Sequence, residues 1–155
     1  MQSDPKHSVT HSDSLPRLIL DALPATMRVV AAQMRETKHN LHSGHLPVLA
    51  ALSRQPFTQS ELAEMMSVSG ATMSNTLTAL EERGWIIRER SSEDRRVVQI
   101  SLAEAGAVAL SETMREMEAY LERLLSELTN EERRELARGL VILREVFLRV
   151  LGTED

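Results

Sequence analysis

Thr58-Gln59-Ser60-Glu61-Leu62-Ala63-Glu64-Met65-Met66-Ser67-Val68-Ser69-Gly70-Ala71-Thr72-Met73-Ser74-Asn75-Thr76-Leu77-Thr78-Ala79-Leu80-Glu81-Glu82-Arg83-Gly84 reads as two short amphipathic helices joined by a tight turn. Thr58 stands three residues before Glu61, the spacing of a capping box, and Leu62, Met65 and Met66 fall on one face. Ser67-Val68-Ser69-Gly70 breaks the pattern, and Ser69 is placed to accept hydrogen bonds from the first free N–H groups of a second helix. That helix runs from about Gly70 to Arg83, with Met73, Leu77 and Leu80 at core-facing spacing, and Gly84 stops it. Its other face carries Thr72, Ser74, Asn75 and Thr78, polar but almost without charge.

Trp85-Ile86-Ile87-Arg88-Glu89-Arg90 and Val97-Val98-Gln99-Ile100-Ser101 flank the polar loop Ser91-Ser92-Glu93-Asp94-Arg95-Arg96, the pattern of a β-hairpin. Helix, turn, helix and hairpin in that order describe a winged helix-turn-helix. Small polar groups on the second helix suit the edges of bases in a major groove, and Arg suits the negative potential of a minor groove. The candidate DNA contacts are therefore Thr58, Ser69, Thr72, Ser74, Asn75, Thr78, Arg95 and Arg96, with Asp94 orienting a wing guanidinium. Taken alone, the helix face would be an ordinary solvated one and the arginines a soluble hairpin tip. The adjacency of turn and wing reverses that judgement.

Thr58-Gln59-Ser60-Glu61-Leu62-Ala63, Leu80-Glu81-Glu82-Arg83-Gly84, Glu93-Asp94-Arg95-Arg96 and Leu102-Ala103-Glu104-Ala105-Gly106, in this order and spacing, resemble the multiple antibiotic resistance regulator (MarR) family of bacterial winged-helix regulators. The resemblance spans nearly the whole chain. It implies a homodimer on a pseudo-palindromic double-stranded DNA operator, the second helix in the major groove and a wing Arg in the minor groove. It also implies a small, often aromatic anionic effector. The family's Asp-x-Arg wing signature falls on Asp94 and Arg96, which makes Arg96 the inserted residue, Asp94 its orienting partner and Arg95 a phosphate contact. Asn75 stands where many members carry Arg, and Asn favours adenine where Arg favours guanine. Ala103 replaces the Thr that usually opens the next helix, so capping is expected to shift to Ser101.

Composition bounds these readings. A chain of 155 residues with 42% hydrophobic content suits one domain with a buried core, and 3% aromatic residues beside 8 Met make that core aliphatic. With no Cys, disulfides, thiolate zinc sites and cysteine oxidation switches are excluded, including the peroxide-sensing branch of the resembled family. No apolar run reaches the length of a membrane span and no signal-peptide pattern is visible, so a soluble, cytoplasmic protein is expected. The net charge of −5 opposes DNA binding in its simplest form. Locally, Arg88, Arg90, Arg95 and Arg96 gather around the wing, and the C-terminal helices carry much of the acid.

The expected division is a disordered tail at 1–13, an N-terminal dimerisation helix at 14–40, the winged helix-turn-helix at 43–102 and a C-terminal helical hairpin at 103–152 that completes the dimerisation region. Leu20, Leu23, Met27, Val30 and Met34 form an apolar stripe that Pro24 interrupts and is expected to kink. Ser43-Gly44 opens a support helix that Pro56 is expected to end. Leu110, Met114, Met117, Leu121, Leu124 and Leu128, then Leu136, Leu140, Leu143, Phe147 and Val150, read as helix-packing seams, with Thr129 and Glu132 forming a second capping box between them. A small winged domain cannot cover all these faces, so a second subunit is the natural cover.

His39, His42 and His45 recur at three-residue intervals, a spacing that could ligate a metal and support a metal-responsive regulator. Against this, Ser43-Gly44 interrupts the helix that would align them, and they could equally line an effector pocket. No cofactor is implied. No phosphate-cradling glycine loop, nucleophile elbow or His-Glu metal motif supports an enzyme. A winged-helix protein-interaction module without specific DNA binding is the other alternative, and the wing arginines argue against it.

Overall fold

The computed structural model describes residues 14–42, 44–90 and 96–151. The expected tail and most of the wing loop, including Asp94 and Arg95, lie outside them. The elements are α1 (Leu15–Glu36), α2 (His45–Leu52), α3 (Gln59–Met65), α4 (Gly70–Glu82), β1 (Ile86–Arg90), β2 (Val98–Leu102), α5 (Glu104–Leu124), a 3-10 turn (Leu125–Glu127) and α6 (Asn130–Leu151). The fold is mainly helical with a two-stranded antiparallel wing, as the sequence pattern predicts. The described residues fall into two compact units, one ending at Met117 and the other beginning at Glu118.

In the first unit, the core is built where helical period and strand alternation coincide. Val48, Leu49 and Leu52 of α2, Leu62 of α3, and Met73, Leu77 and Leu80 of α4 are all buried, and Ile86 and Ile100 close it from the hairpin. The α3 face differs from expectation: Leu62 and Ala63 are buried, while Met65 is half-exposed. The strands pair Ile86 with Leu102, Arg88 with Ile100 and Arg90 with Val98. Phe57 adds an isolated bridge to Ile100, with backbone bonds of 3.0 and 2.8 Å, and so ties the start of α3 to the inner strand.

α1 has Pro16 in its first turn and continues through Pro24 without a break. α2 ends at Leu52, earlier than Pro56 would require, with Ser53 in the cap position and its hydroxyl donating to the Ala50 carbonyl at 2.8 Å. α5 begins directly after Ala103, whose carbonyl accepts the Ala107 N–H at 3.0 Å, so Ala103 rather than Ser101 occupies its cap position. The face α5 buries is Gly106, Ala109, Thr113 and Met117, so Met117 of the expected seam is buried while Leu110 is intermediate and Met114 exposed. Those small residues allow close approach: a Cβ on Gly106 would stand 2.1 Å from the Trp85 carbonyl oxygen.

In the second unit, the expected box opens α6: the Thr129 N–H donates to Glu132 Oε2 at 2.7 Å and the Glu132 N–H to Thr129 Oγ1 at 3.3 Å. Arg133 steadies the hairpin, donating to Glu122 Oε1 at 2.9 Å and to the Leu125 carbonyl at 2.8 Å. No residue of α6 whose burial is described is buried in the single chain, and Leu136, Leu140, Phe147 and Val150 are exposed. α1 likewise leaves Leu20, Leu23 and Met27 exposed and buries Met34.

Candidate nucleic-acid interface

The interface is built from α3, the turn, α4 and the hairpin. α3 is started by the predicted capping box, in which the Thr58 N–H donates to Glu61 Oε2 at 2.6 Å and Thr58 Oγ1 accepts from the Glu61 N–H at 3.3 Å. Thr58 Oγ1 also donates to Glu61 Oε2 at 2.8 Å, so its hydroxyl is occupied by the cap. These bonds, the backbone donor of Thr58 first, hold the Glu61 carboxyl below its usual range. Ser67 takes a left-handed conformation (φ 52°), which lets the chain reverse within three residues.

α4 is fixed at both ends. Ser69 caps it, accepting from the Thr72 N–H at 3.1 Å, a bond worth about 1 kcal/mol. The Gln59 side-chain amide donates to the Gly70 carbonyl at 3.2 Å and joins the start of α4 to α3. At the other end the Gly84 N–H reaches the Glu81 carbonyl (2.8 Å) and the Trp85 N–H the Leu80 carbonyl (3.0 Å), with Gly84 at φ 67°. That is a complete Schellman closure, in which buried Trp85 and Leu80 supply the hydrophobic contact.

Between these ends the helix sorts its side chains. Met73, Leu77 and Leu80 face inward, while Thr72, Asn75 and Thr78 are exposed and Ser74 is half-buried. Thr78 Oγ1 donates to the Ser74 carbonyl at 2.9 Å, and Thr72 Oγ1 pairs with Ser69 Oγ at 2.8 Å. Thr76, which the sequence pattern does not single out, donates to the Thr72 carbonyl at 3.1 Å. The threonine hydroxyls are thereby oriented and keep acceptor capacity, whereas Asn75 has no side-chain hydrogen bond among the described residues. Asn75 is thus the group on this face with a whole amide available to a base edge.

On the wing side, Arg88 Nε lies 3.0 Å from Glu81 Oε2, an ion pair without good hydrogen-bond angle. Arg90 and Arg96 are exposed at the two strand ends nearest the loop. The expected pairing of Asp94 with Arg96 and the phosphate role of Arg95 lie outside the described residues.

The three histidines are not gathered into one site. His39 Nε2 lies 2.8 Å from Glu112 Oε2 of α5, while the His42 and His45 rings meet edge to face at 5.2 Å. No group of three or more His, Cys, Asp or Glu suited to a metal occurs among the described residues. The partner of His39 is tertiary: Glu112 is 73 residues from it in sequence. Lys38 Nζ also lies 2.8 Å from the same oxygen, and these bonds, Lys38's first, hold Glu112 at about 2. Burial, then the neighbouring His42 and Arg83, lowers His45.

No described helix is long and apolar enough to cross a membrane. Residues 39–97 match the MarR family. The chain is 32% identical over 124 residues to the HTH-type transcriptional repressor MdtR of Bacillus subtilis, covering 78% of this chain and 80% of that protein. Among solved structures it is similar to the YusO protein of Bacillus subtilis, with 29% identity, a TM-score of 0.69, and coverage of 88% of this chain and 99% of that one. Its fold also matches Streptococcus pneumoniae FabT solved in complex with DNA, at 21% identity, TM-score 0.66, and coverage of 88% and 96%.

Proposed function

We propose that this chain, which belongs to the MarR family of transcription regulators, is a cytoplasmic homodimer that binds a pseudo-palindromic DNA operator and represses transcription until a small-molecule effector releases it. The observation that carries this reading is the α4 face. It is capped at both ends, exposed, uncharged over Thr72, Asn75 and Thr78, and flanked by an arginine-bearing wing. Asn75 would read a base edge, Ser69, Thr72, Ser74 and Thr78 would contact bases or backbone, and Thr58 would hold the helix that braces them. Arg96, oriented by Asp94, would enter the minor groove, and Arg95 would contact phosphate.

Dimerisation is supported by the apolar residues that α1 and α6 leave exposed. Two recognition helices would then sit about one turn of DNA, roughly 34 Å, apart. An effector that favours a wrongly spaced dimer by about 2.7 kcal/mol would weaken operator binding about a hundredfold.

The test is fluorescence anisotropy of the full chain with its own upstream DNA and with a scrambled duplex, across salt concentrations, backed by selection from random DNA. Tight, sequence-selective binding that falls with salt is the expected result. Failure to enrich any sequence would overturn the reading.

A further inference from the structure

Arg83 closes the recognition helix, yet its guanidinium is committed to a different element. Nη1 donates to the His39 carbonyl at 3.0 Å and approaches the Asn40 carbonyl at 3.5 Å, while the guanidinium carbon sits 4.7 Å from the centre of the Trp85 ring. The connector that presents those carbonyls leaves α1 and is pinned on its other side to α5. Lys38 Nζ and His39 Nε2 converge on Glu112 Oε2, and the Lys38 N–H donates to Glu116 Oε2 at 3.3 Å. The connector is itself stiff: Thr37 Oγ1 donates to the Met34 carbonyl at 2.7 Å, the Asn40 N–H to the Thr37 carbonyl at 2.9 Å, and Asn40 holds a left-handed conformation at φ 44°. The His39 ring also meets Trp85 edge-on at 6.2 Å. The end of α4, through Arg83, and the first half of α5, through Glu112 and Glu116, therefore both hold the connector that leaves α1.

We propose that Arg83 is a positioning residue for DNA recognition, transmitting the placement of the α1–α2 connector, as set by Glu112, to the recognition helix. This rests on the DNA-binding reading above. Arg is suited to the task because a planar guanidinium lies over the indole while its Nη1 faces two carbonyls, whereas a Lys ammonium could donate to the carbonyls but has no plane to stack.

The experiment uses the full chain and a fluorescein-labelled duplex enriched by the wild type from random DNA. Arg83→Met keeps the aliphatic stem and removes the donors and charge. It is expected to weaken binding about tenfold with the slope of log K against log salt unchanged, and Arg83→Lys to fall between the two. Glu112→Gln is expected to weaken binding several-fold in the wild-type background and to add little after Arg83→Met. Titration of each variant at concentrations well above Kd counts the competent protein, so a folding defect cannot imitate an affinity loss.

Equal affinity for Arg83→Met overturns the proposal, as does additivity of the two substitutions. A salt slope reduced by about one would instead make Arg83 a phosphate contact. If Arg83→Met does not fold, Glu112→Gln and His39→Gln, which leave Arg83 in place, must still lower affinity at full competent fraction, and unaltered affinity in both refutes the relay. If the wild type enriches no duplex, the DNA-binding reading falls and the positioning role with it. A selective wild type with an indifferent Arg83→Met sinks the positioning role alone.

Discussion

Gly106→Ala is expected to destabilise the protein although alanine is the better helix former. The new Cβ would lie 2.1 Å from the Trp85 carbonyl oxygen, and 2.9 Å from both the Trp85 carbonyl carbon and Leu102 Cδ1. Leu102 can change rotamer. Trp85 has less room to yield, because its carbonyl accepts the Ala103 N–H at 2.9 Å and its own N–H makes the 3.0 Å closure of α4. α5 must therefore back away by about an ångström, an overpacking cost of about 1–3 kcal/mol. Stretching the Ala103 bond adds about 1 kcal/mol. Helix propensity returns about 1 kcal/mol, leaving a net loss of about 2 kcal/mol. For a chain of 155 residues that lowers Tm by about 4–8 °C.

The assay is thermal unfolding by circular dichroism at one protein concentration, since a dimer's Tm depends on it. Gly139→Ala is the comparison, because nothing in the same chain lies within 4 Å of a Cβ there and helix propensity alone would give a gain of about 1 kcal/mol. Opposite shifts are expected for the two glycines. If both raise Tm, the close approach of α5 to Trp85 is not a constraint and the reasoning fails. The single Trp of the chain gives a second reading, because moving Trp85 disturbs its stacking with Arg83 and should shift its emission.

Asn75→Ala is expected to relax preference at one base pair per half-site, losing about 1–3 kcal/mol for the preferred base; identical motifs from parallel selections on wild type and variant would exclude Asn75 from base reading. Arg96→Ala should weaken operator binding about tenfold to a hundredfold, the range for a charge-assisted contact, with the oligomeric state unchanged by sedimentation; unaltered affinity would remove Arg96 from the interface. Acid should destabilise the protein in two successive windows. His45, lowered from 6.5 in the fold, contributes stability above 6.5 that begins to be lost as pH falls below it. Glu112, lowered from 4.5 to about 2, contributes stability that is lost as pH falls between those values. Urea midpoints measured from pH 7 to 2.5 should show the lower window flattened by Glu112→Gln, and an unchanged acid limb would show that the Lys38–Glu112–His39 contact does not support the fold.

What was legible in the sequence was local chemistry. The two capping boxes, the Ser69 cap, the Gly84 stop and the alternating runs of the wing each need only a few neighbouring residues, and each forms where its spacing predicts. What was not legible depends on contacts distant in sequence. Nothing near His39 announces that Glu112 will take its ring, so three evenly spaced histidines suggest a metal site that the fold disperses. Of the Leu and Met seam on α5 Met117 is buried, but Gly106, Ala109 and Thr113 share the buried face with it because the helix approaches the Trp85 backbone closely. Pro56 looks like the end of α2, but the helix stops four residues earlier, at Leu52, with Ser53 as its cap. Phe57's bridge to Ile100 joins residues 43 positions apart and has no periodic signature.

The acidic balance of the chain gives the interface a geometric rather than a purely electrostatic logic. With a net charge of −5, the uniform attraction that holds basic proteins on DNA is weak, and affinity must come from contacts that fit together. Fit is sensitive to angle. α4 has 13 residues and spans about 20 Å, so a 1 Å shift at its Arg83 end, with the Gly70 end held by Gln59, tilts it by about 3°. At Asn75 that is a displacement of about 0.4 Å, enough to degrade a bidentate contact whose length is set within a few tenths of an ångström. In the proposed two-fold dimer both half-sites would lose together, so a modest movement of the connector would be doubled in its effect on binding. A regulator with little charge attraction in reserve can therefore be released by small displacements. If Asn75 reads a base edge as proposed, the anchoring of α4 at its Arg83 end is as much a part of that reading as the Asn75 amide.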